Sequence, residues 1–470
     1  MQKLKLTDFH IKALLVIWVI IGNLLVEISG IVPFEFDSGV YWLPDYALKE
    51  NLAHNLWHLH TNPPMLNVWA GLLTQLHLPL LLSNQIAFTL LQIIAAIGFF
   101  NFLKERSIKN SALWSVILLA NPLHFVWFNS FYYPALLFFL SVIVMRILYS
   151  DRSDTSKYFW LAFIFSMMAM TRASYHPIWI IALLLPFLKK ISFKHFAIGF
   201  AFLLIPLGWY TKNYVQYGFW GSSSISGQNL SAHYPDHLRK EIKNCNSLGR
   251  YKLVRNYDGL FDENDPLIQR YKDDRLLNDT LTLHNVHTVV ISKKYLKETK
   301  ENFELKYSLA TIAYGTFTFF SSPTIDENRN KALSTFNWNN TWLIDFFDLP
   351  NIRIHAKNGK YSEIRLAIYT FIYPLVLLFL LLNYRKLDFR EKFLFHWLVI
   401  VTLIYCTVDP NEASRMRYET EPVFYFLSLL VLGKITTKTL RPSLLSDIVV
   451  NNDSPTKLFH TKKFCNKKRH

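Results

Sequence analysis

Residues 11–32 read IKALLVIWVIIGNLLVEISGIV, a mostly apolar stretch about as long as a helix needs to cross a bilayer. The stretch is too long for the apolar part of a cleavable signal peptide and has no small-residue cleavage site, so we expect a retained span. Further apolar blocks follow along the 470-residue chain, with short basic segments between them. This alternation is typical of a polytopic helical membrane protein.

The overall composition indicates the same class of protein. Hydrophobic residues make up 51% of the chain, yet its net charge is +16. A soluble domain rarely holds so large an apolar core, whereas a membrane protein collects basic residues in its cytoplasmic loops. The basic residues form no single face or run outside the C-terminal tail, so no nucleic-acid binding is predicted. The three cysteines have no metal-type spacing and predict neither a disulfide framework nor a zinc site.

Hydrophobicity predicts about ten spans. They are 11–32, 85–103, 112–128, 131–149, 158–172, 174–188, 195–215, 363–383, 393–408 and 421–434. If 65–82 lies near the interface and the N-terminus lies inside, the basic segments that follow the later spans fall on the cytoplasmic side. The outer face then carries 33–64, 216–361 and 409–421. Within the second of these, 307–320 is short for a span and is expected to lie along the membrane surface.

This topology divides the chain into four parts. They are an N-terminal membrane module (1–215) with the first outer loop 33–64, a large outer loop (216–361), C-terminal membrane helices (362–436) and a basic cytoplasmic tail (437–470). Only the large outer loop is long enough for a soluble subdomain.

The first outer loop is richer in polar side chains than a connector needs. Residues 33–64 read PFEFDSGVYWLPDYALKENLAHNLWHLHTNPP. Asp37 follows the end of the first span and is close to Tyr41, where partial desolvation would suit a general base. The simpler interpretation is that Glu35, Asp37 and Asp45 are interfacial charges.

Three histidines follow in the same loop. His54 and His58 are four residues apart on a predicted helix and share a face, with His60 close behind. This spacing can hold a metal ion, but no acidic residue nearby completes a motif such as HExxH. Contacts with water or lipid headgroups are therefore the favoured interpretation. Asn62 precedes two prolines, which end the helix.

Arginines occur at the predicted outer face in two places. Arg415 and Arg417 stand among acidic residues in DPNEASRMRYETEP (409–422). Arginine is suited to gripping phosphate through paired hydrogen bonds, although a solvated salt-bridge cluster explains the same composition. Arg172 lies at the predicted outer end of a span, where it either has a function or extends to the aqueous surface.

Five blocks resemble, in their order along the chain, the GT-C glycosyltransferases of the protein O-mannosyltransferase and lipid A aminoarabinose transferase type. They are NPPMLNVWAGLL, LWSVILLANPLHFVWFNSFYYPALLFFLSVIV, MAMTRASYHPIWIIALLLP, IPLGWYTKNYVQYGFWGSSSISGQNLSAH and ASRMRYETEPVFYFLSLL. The resemblance implies an all-α polytopic fold, a GT-C type bundle of about 10–12 transmembrane helices. It also implies juxtamembrane helices at the outer face and one large outer loop.

The resemblance further implies inverting transfer of a sugar from a polyprenyl-phosphate donor to an acceptor hydroxyl on the outer face. On this interpretation Asp37 is the general base. The donor phosphate is assigned to four cations: Arg415, Arg417, Arg172 and Lys212. The rest of the acceptor site is assigned to five residues: Glu35, Tyr41, His60, Asn62 and Asn229.

The sequence departs from these enzymes at one position. Many relatives carry an Asp at the outer junction of the third and fourth spans, where this chain has Pro134. We therefore predict no metal ligand, and a divalent cation stays open as a cofactor. The expected partners are a polyprenyl-phosphate-linked sugar, membrane lipid, and a lipid, protein or polysaccharide acceptor.

Two other functions fit the same sequence. A transporter or flippase for a lipid-linked saccharide usually places polar residues mid-membrane and shows inverted repeats, whereas here the charges gather at one face. A non-catalytic GT-C-like scaffold is the other, because of Pro134. For location we expect a multi-pass integral membrane protein. Low glycine with abundant Lys, Asn, Ile and Phe favours a bacterial inner membrane over the endoplasmic reticulum.

Overall fold

The fold is known from a computed structural model. It describes residues 7–29, 42–120, 124–125, 133–226, 230, 262–279, 282–320, 351–354, 364–367, 369–408 and 417–439. Nearly all regular structure in these ranges is helical, as predicted. The exception is a short antiparallel hairpin in which β1 (Asn351–Ile354) pairs with β2 (Ile364–Ala367), with Asn351 opposite Ala367.

The described part of the first half of the chain is mainly helical. The helices that the structure describes are α1 (Asp8–Ser29), α2 (Asp45–Lys49), α3 (Leu52–His58), α4 (Met65–Gln75), α5 (Leu80–Glu105), α6 (Ser111–Leu119), α7 (Tyr133–Tyr149), α8 (Asp154–Thr171), α9 (Pro177–Leu184), α10 (Phe193–Phe200) and α11 (Leu204–Tyr217). One 3-10 helix (Leu185–Lys189) extends α9. Another (Ala201–Leu203) joins α10 to α11.

The second half adds six described helices. They are α12 (Pro266–Arg270), α13 (Val286–Glu301), α14 (Leu305–Phe320), α15 (Tyr369–Leu382), α16 (Phe389–Val408) and α17 (Glu421–Thr439). One short 3-10 helix (Tyr384–Lys386) separates α15 from α16, and another (Arg417–Thr420) leads directly into α17.

Four helical segments in the described chain are long and apolar enough to cross a membrane. They are Asp8–Ile28, Leu80–Glu105, Phe193–Tyr217 and Phe389–Val408. Shorter apolar helices accompany them: Tyr133–Tyr149, Pro177–Lys189 and Ile372–Leu382. The predicted class, a helical membrane protein, is thereby confirmed.

The segment 65–82 does not form one span. Helix α4 has only 11 residues, which extend about 16 Å, roughly half of the ~30 Å hydrocarbon core. The chain then turns at His77, whose φ of 56° is left-handed, and α5 begins at Leu80. This agrees with the prediction that 65–82 is not a complete crossing.

The segment 307–320, predicted to lie along the membrane surface, packs against other helices. It forms most of α14, which contacts α15 and α16. Phe319 is fully buried, its ring meets Tyr373 edge-on at 5.5 Å, and its carbonyl accepts a hydrogen bond from Arg417. The C-terminal part of this apolar stretch thus has protein partners, which hydropathy alone does not indicate.

Basic residues from several helices gather at one end of the bundle, here called the basic end. Three ion pairs connect helix ends there: Lys104–Asp8, Arg146–Glu105 and Lys190–Asp154. Arg106 and Arg390 both lie over the ring of Tyr149, at 5.6 and 5.3 Å. The predicted topology had placed these basic residues on one side.

The opposite end is here called the outer end, because the predicted topology places it at the outer face, and it is reached along α8 and α16. Helix α8 has 18 residues and α16 has 20, so each extends about 27–30 Å from its start at the basic end. Arg172 follows α8 directly and lies over the ring of Tyr405, near the end of α16, at 4.8 Å. The outer end therefore brings together residues that are far apart in sequence.

Candidate functional site

A cavity of about 730 Å³ opens at the outer end. Three sequence blocks meet around it: the NPP motif of the first outer loop, the TRASYHP turn after α8, and the serine-rich segment after α11. Its polar lining comprises Asn62, Thr171, Arg172, Ser174, His176, Ser223 and Ser226. Its apolar lining includes Pro63, Ile178, Trp179, Ile225, Leu230, Ile404 and Val408. A volume of this size is within the range of small-molecule sites in proteins.

Arg172 is the cation in the wall of this cavity. Its guanidinium forms an ion pair with Glu419, and only 8% of its side chain is exposed. The rings of Tyr133 and Tyr405 lie against it, with ring centres 4.1 and 4.8 Å from its Cζ. The Tyr405 hydroxyl donates a 2.6 Å hydrogen bond to Glu419 Oε2. The guanidinium is thus held in place before any ligand binds.

A second buried ionic group lies at the start of α17, on either side of Glu419 in the sequence. Arg417 is fully buried, and its Nε is 3.6 Å from Glu421 Oε1. Its Nη1 donates a 3.0 Å hydrogen bond to the carbonyl of Phe319. Nε2 of His124 contacts the other oxygen of Glu421. Burying two such pairs carries a large desolvation penalty, so each charge has to keep its partner.

His60 joins the first outer loop to two later segments. Its Nε2 is 2.8 Å from the carbonyl of His284 and so carries the proton, while Nδ1 accepts from the Ser224 hydroxyl at 2.8 Å. His284 repeats this arrangement: Nε2 donates to the carbonyl of Trp42 at 3.0 Å, and Nδ1 accepts from Thr61 Oγ1. We call this network the histidine clasp.

Burial keeps both histidines of the clasp neutral. Desolvation lowers the pKa of His284 to about 4 and lowers the pKa of His60 well below its usual value. A neutral imidazole offers one donor and one acceptor, which is what the two sets of partners require. The clasp positions Thr61, and Asn62 next to it lines the cavity.

Lys212 stabilises the C-terminal end of α3. Its Nζ donates to the carbonyls of Trp57 and Leu59, at 3.0 and 2.5 Å, and lies 3.8 Å from the ring centre of Trp209. These carbonyls belong to the last turn of α3 and to the residue that follows it, where a cation is favourable. The lysine is almost fully buried and is not among the residues that line the cavity.

The predicted site residues therefore fall into three groups. Arg172 and Asn62 line the cavity, with His60 two residues before Asn62. Arg417 and Lys212 are buried in contacts with other protein groups and do not line the cavity, so a role in holding donor phosphate stays a prediction for each. Five predicted residues lie outside the described ranges: Asp37, Glu35, Tyr41, Arg415 and Asn229.

Sequence reasoning missed the aromatic and histidine partners of these residues. Tyr133 and Tyr405 contact Arg172 directly, and His284 completes the clasp. A polar aromatic near the end of an apolar span, as in the sequence TLIYC, was the available signal for Tyr405. Nothing in the local sequence distinguishes His284.

Pro134, the departure from the GT-C pattern, is buried at the second position of α7. Proline is tolerated in the first turn of a helix because that turn has no hydrogen-bond acceptor for its N–H. Its neighbour Tyr133 faces Arg172 and the cavity. This junction therefore contributes an aromatic ring to the site.

A scan against protein-family models, a search of curated proteins and a search of solved structures each find no match for this chain. The resemblance to GT-C glycosyltransferases accordingly stays a prediction from the five sequence blocks. The ligand of the cavity therefore has to be inferred from the charge and polarity of the residues that line it.

Proposed function

We propose that this protein is an integral-membrane glycosyltransferase of the GT-C type. It transfers a sugar from a polyprenyl-phosphate donor to an acceptor hydroxyl at the outer face of the membrane. The acceptor belongs to a lipid, a protein or a polysaccharide, and the favoured membrane is a bacterial inner membrane.

The observation that carries this proposal is the composition of the outer-end cavity. One part of its lining is apolar and includes Ile178, Ile404 and Val408; another part carries hydroxyl, amide and guanidinium groups around Arg172. A polyprenyl-phosphate sugar has the same division between a hydrocarbon chain, a phosphate and a ring of hydroxyls. Burying the chain contributes about 0.8 kcal/mol for each CH₂, remote from the reacting bond.

The chemistry assigned to the site is a single displacement. The acceptor oxygen attacks the anomeric carbon, the bond from that carbon to the phosphate oxygen breaks, and configuration inverts. The carboxylate of Asp37 takes the acceptor's proton. The bonding pair leaves with the polyprenyl phosphate, whose developing charge is stabilised by the N–H groups of Arg172.

Arg172 suits this role although Glu419 already pairs with it. Arginine stays charged at every physiological pH, and its planar guanidinium matches the geometry of phosphate oxygens. Glu419 and the two tyrosine rings fix its orientation, so little side-chain entropy is lost when a phosphate binds. Arg415 is the further predicted phosphate ligand.

The test is sugar transfer in proteoliposomes with a labelled polyprenyl-phosphate sugar. Asp37→Asn is expected to lower transfer by about 10²–10⁴-fold while donor binding is retained, because only the proton acceptor is removed. Asp45→Asn is the matched control, since Asp45 is an exposed acid of the same outer segment that pairs with Lys49.

Unchanged transfer in Asp37→Asn would exclude Asp37 as the base. Movement of labelled donor between leaflets without a new glycosidic bond would replace the proposal with a flippase. If the wild-type protein binds the donor but neither transfers the sugar nor moves the donor between leaflets, the scaffold function is favoured.

A further inference from the structure

The first outer loop and the large outer loop meet at a group of metal-ligating side chains. His54 and His58 lie on α3, and Asp274 comes from a segment about 220 residues later in the chain. One ligand atom of each residue lies within 4.8 Å of the others. The sequence had suggested a metal site here only weakly, because no acidic residue completes a motif such as HExxH; the fold supplies Asp274 as a third ligand.

Asp274 is held so that one of its oxygens faces the histidines. Oδ1 accepts hydrogen bonds from the backbone N–H groups of Leu276 and Leu277, at 3.0 and 2.9 Å. Oδ2 lies 3.0 Å from Nε2 of His54. Oδ1 therefore stabilises the turn at 274–277, and Oδ2 is directed at the imidazole of His54.

His58 is also fixed by its surroundings. Its ring lies 4.4 Å from that of His54 and meets Tyr271 edge-on at 5.6 Å. Tyr217 donates a 2.7 Å hydrogen bond to the carbonyl of His58. Within the described part of the chain, the only side-chain contact of its ring nitrogens is a 3.5 Å approach of Nδ1 to that hydroxyl, so Nε2 is available as a ligand.

The group fits a tetrahedral zinc ion with little movement. Zinc bonds of about 2.0–2.2 Å to nitrogen and oxygen place neighbouring ligand atoms about 3.3–3.6 Å apart in a tetrahedral site. The His54–Asp274 pair is already within this distance, so the main adjustment is rotation of His58. His54 is 56% exposed at its side chain, which leaves room for water as a fourth ligand.

We propose that His54, His58 and Asp274 bind one Zn²⁺ ion at the outer surface, with water in the fourth position. The ion connects α3 to the segment 262–279. Two protein contacts join the same segment to α2 and the residue after it: Tyr46 to Asp279 at 2.8 Å and Arg275 to Glu50 at 2.9 Å. The site requires no sugar donor and stands independently of the proposed function.

The experiment measures zinc in the full-length protein purified in detergent, stripped with EDTA, dialysed against micromolar ZnCl₂ and freed of excess metal. The informative variants are His58→Gln and Asp274→Asn. Asparagine keeps a side-chain oxygen to accept from Leu276 and Leu277, so the turn is retained while the anionic ligand is lost. Asp273→Asn, at an exposed neighbouring acid, is the matched control.

We expect one zinc per chain in the wild type and in Asp273→Asn, and at least a tenfold weaker affinity in the two informative variants. Zinc should also raise the melting temperature of only the first two proteins. As a readout of ligand type, Co²⁺ should give a tetrahedral visible absorption band that His58→Gln lacks. Wild-type protein without zinc, or equal zinc in Asp274→Asn, would show that His54 and Asp274 form only a surface hydrogen bond.

Discussion

Two described cavities of similar volume lie at opposite ends of the helical bundle, and their linings differ. The cavity at the basic end has about 680 Å³ and is lined by Glu105, Arg106, Arg146, Asp151 and Arg152, among others. The cavity at the outer end has about 730 Å³. Among the described residues that line it, Arg172 is the one cation, beside an extensive apolar surface.

The ion pairs at the two ends also differ in how exposed their side chains are. At the basic end, the side chains of Arg146 and Glu105 are 45% and 50% exposed. At the outer end, those of Arg172 and Glu419 are 8% and 0% exposed. An exposed pair contributes about 0–1 kcal/mol, whereas breaking a buried pair costs about 3–5 kcal/mol. We infer that charge at the basic end orients the chain in the membrane, and that charge at the outer end shapes a site.

The largest expected effect concerns the buried pairs. Glu419→Gln should lower the free energy of unfolding by about 3–5 kcal/mol, because it leaves the charge of Arg172 buried without its counter-ion. Glu105→Gln, the corresponding change at the basic end, should cost less than about 1 kcal/mol. Denaturant titration in one detergent compares the two variants, and equal losses would remove the distinction between the ends.

A slightly smaller effect concerns pH and the histidine clasp. Unfolded histidines titrate near 6.5, whereas burial holds the pKa of His284 at about 4. Below pH 6.5 the unfolded chain therefore binds more protons than the folded one, and stability falls as the pH falls. For His284 the loss is about 1.4 kcal/mol per pH unit and about 3 kcal/mol by pH 4.

The measurement is the unfolding free energy between pH 7.5 and 4.5. His284→Gln should flatten this dependence, because glutamine donates to the carbonyl of Trp42 without titrating. His77→Asn is the control, since His77 is exposed and its left-handed backbone accepts asparagine. The same pH slope in His284→Gln and wild type would show that His284 does not carry the acid sensitivity.

The helical membrane class and part of the site follow from sequence alone. The lengths of the apolar stretches identify the long spans. The basic residues between these spans gather at one end, as expected from the positive-inside rule, by which basic loops stay on the cytoplasmic side. Arg172 and Asn62 were predictable because each ends an apolar or helical segment at the outer side, where the residues of different spans converge.

Other features were beyond sequence reasoning because they depend on long-range contacts. Asp274 reaches His54 across 220 residues, and His284 reaches His60 across 224. The protein contacts of Arg417 and Lys212 were likewise beyond sequence reasoning. The folded chain buries both side chains against protein carbonyls or a carboxylate, and their role as phosphate ligands stays a prediction.

The central claim is that the outer-end cavity binds a polyprenyl phosphate, and native mass spectrometry of the purified protein tests it most directly. Ile178 lines the cavity and is 68% exposed, so Ile178→Trp should fill the apolar wall without disturbing the core. Leu185→Trp, on the same helical segment but outside the cavity lining, is the control.

We predict a bound polyprenyl-phosphate mass on the wild type and on Leu185→Trp, and at least about a tenfold lower occupancy on Ile178→Trp. Equal lipid occupancy in all three proteins, or wild-type protein that binds no polyprenyl phosphate when it is added, would contradict the assignment of this cavity.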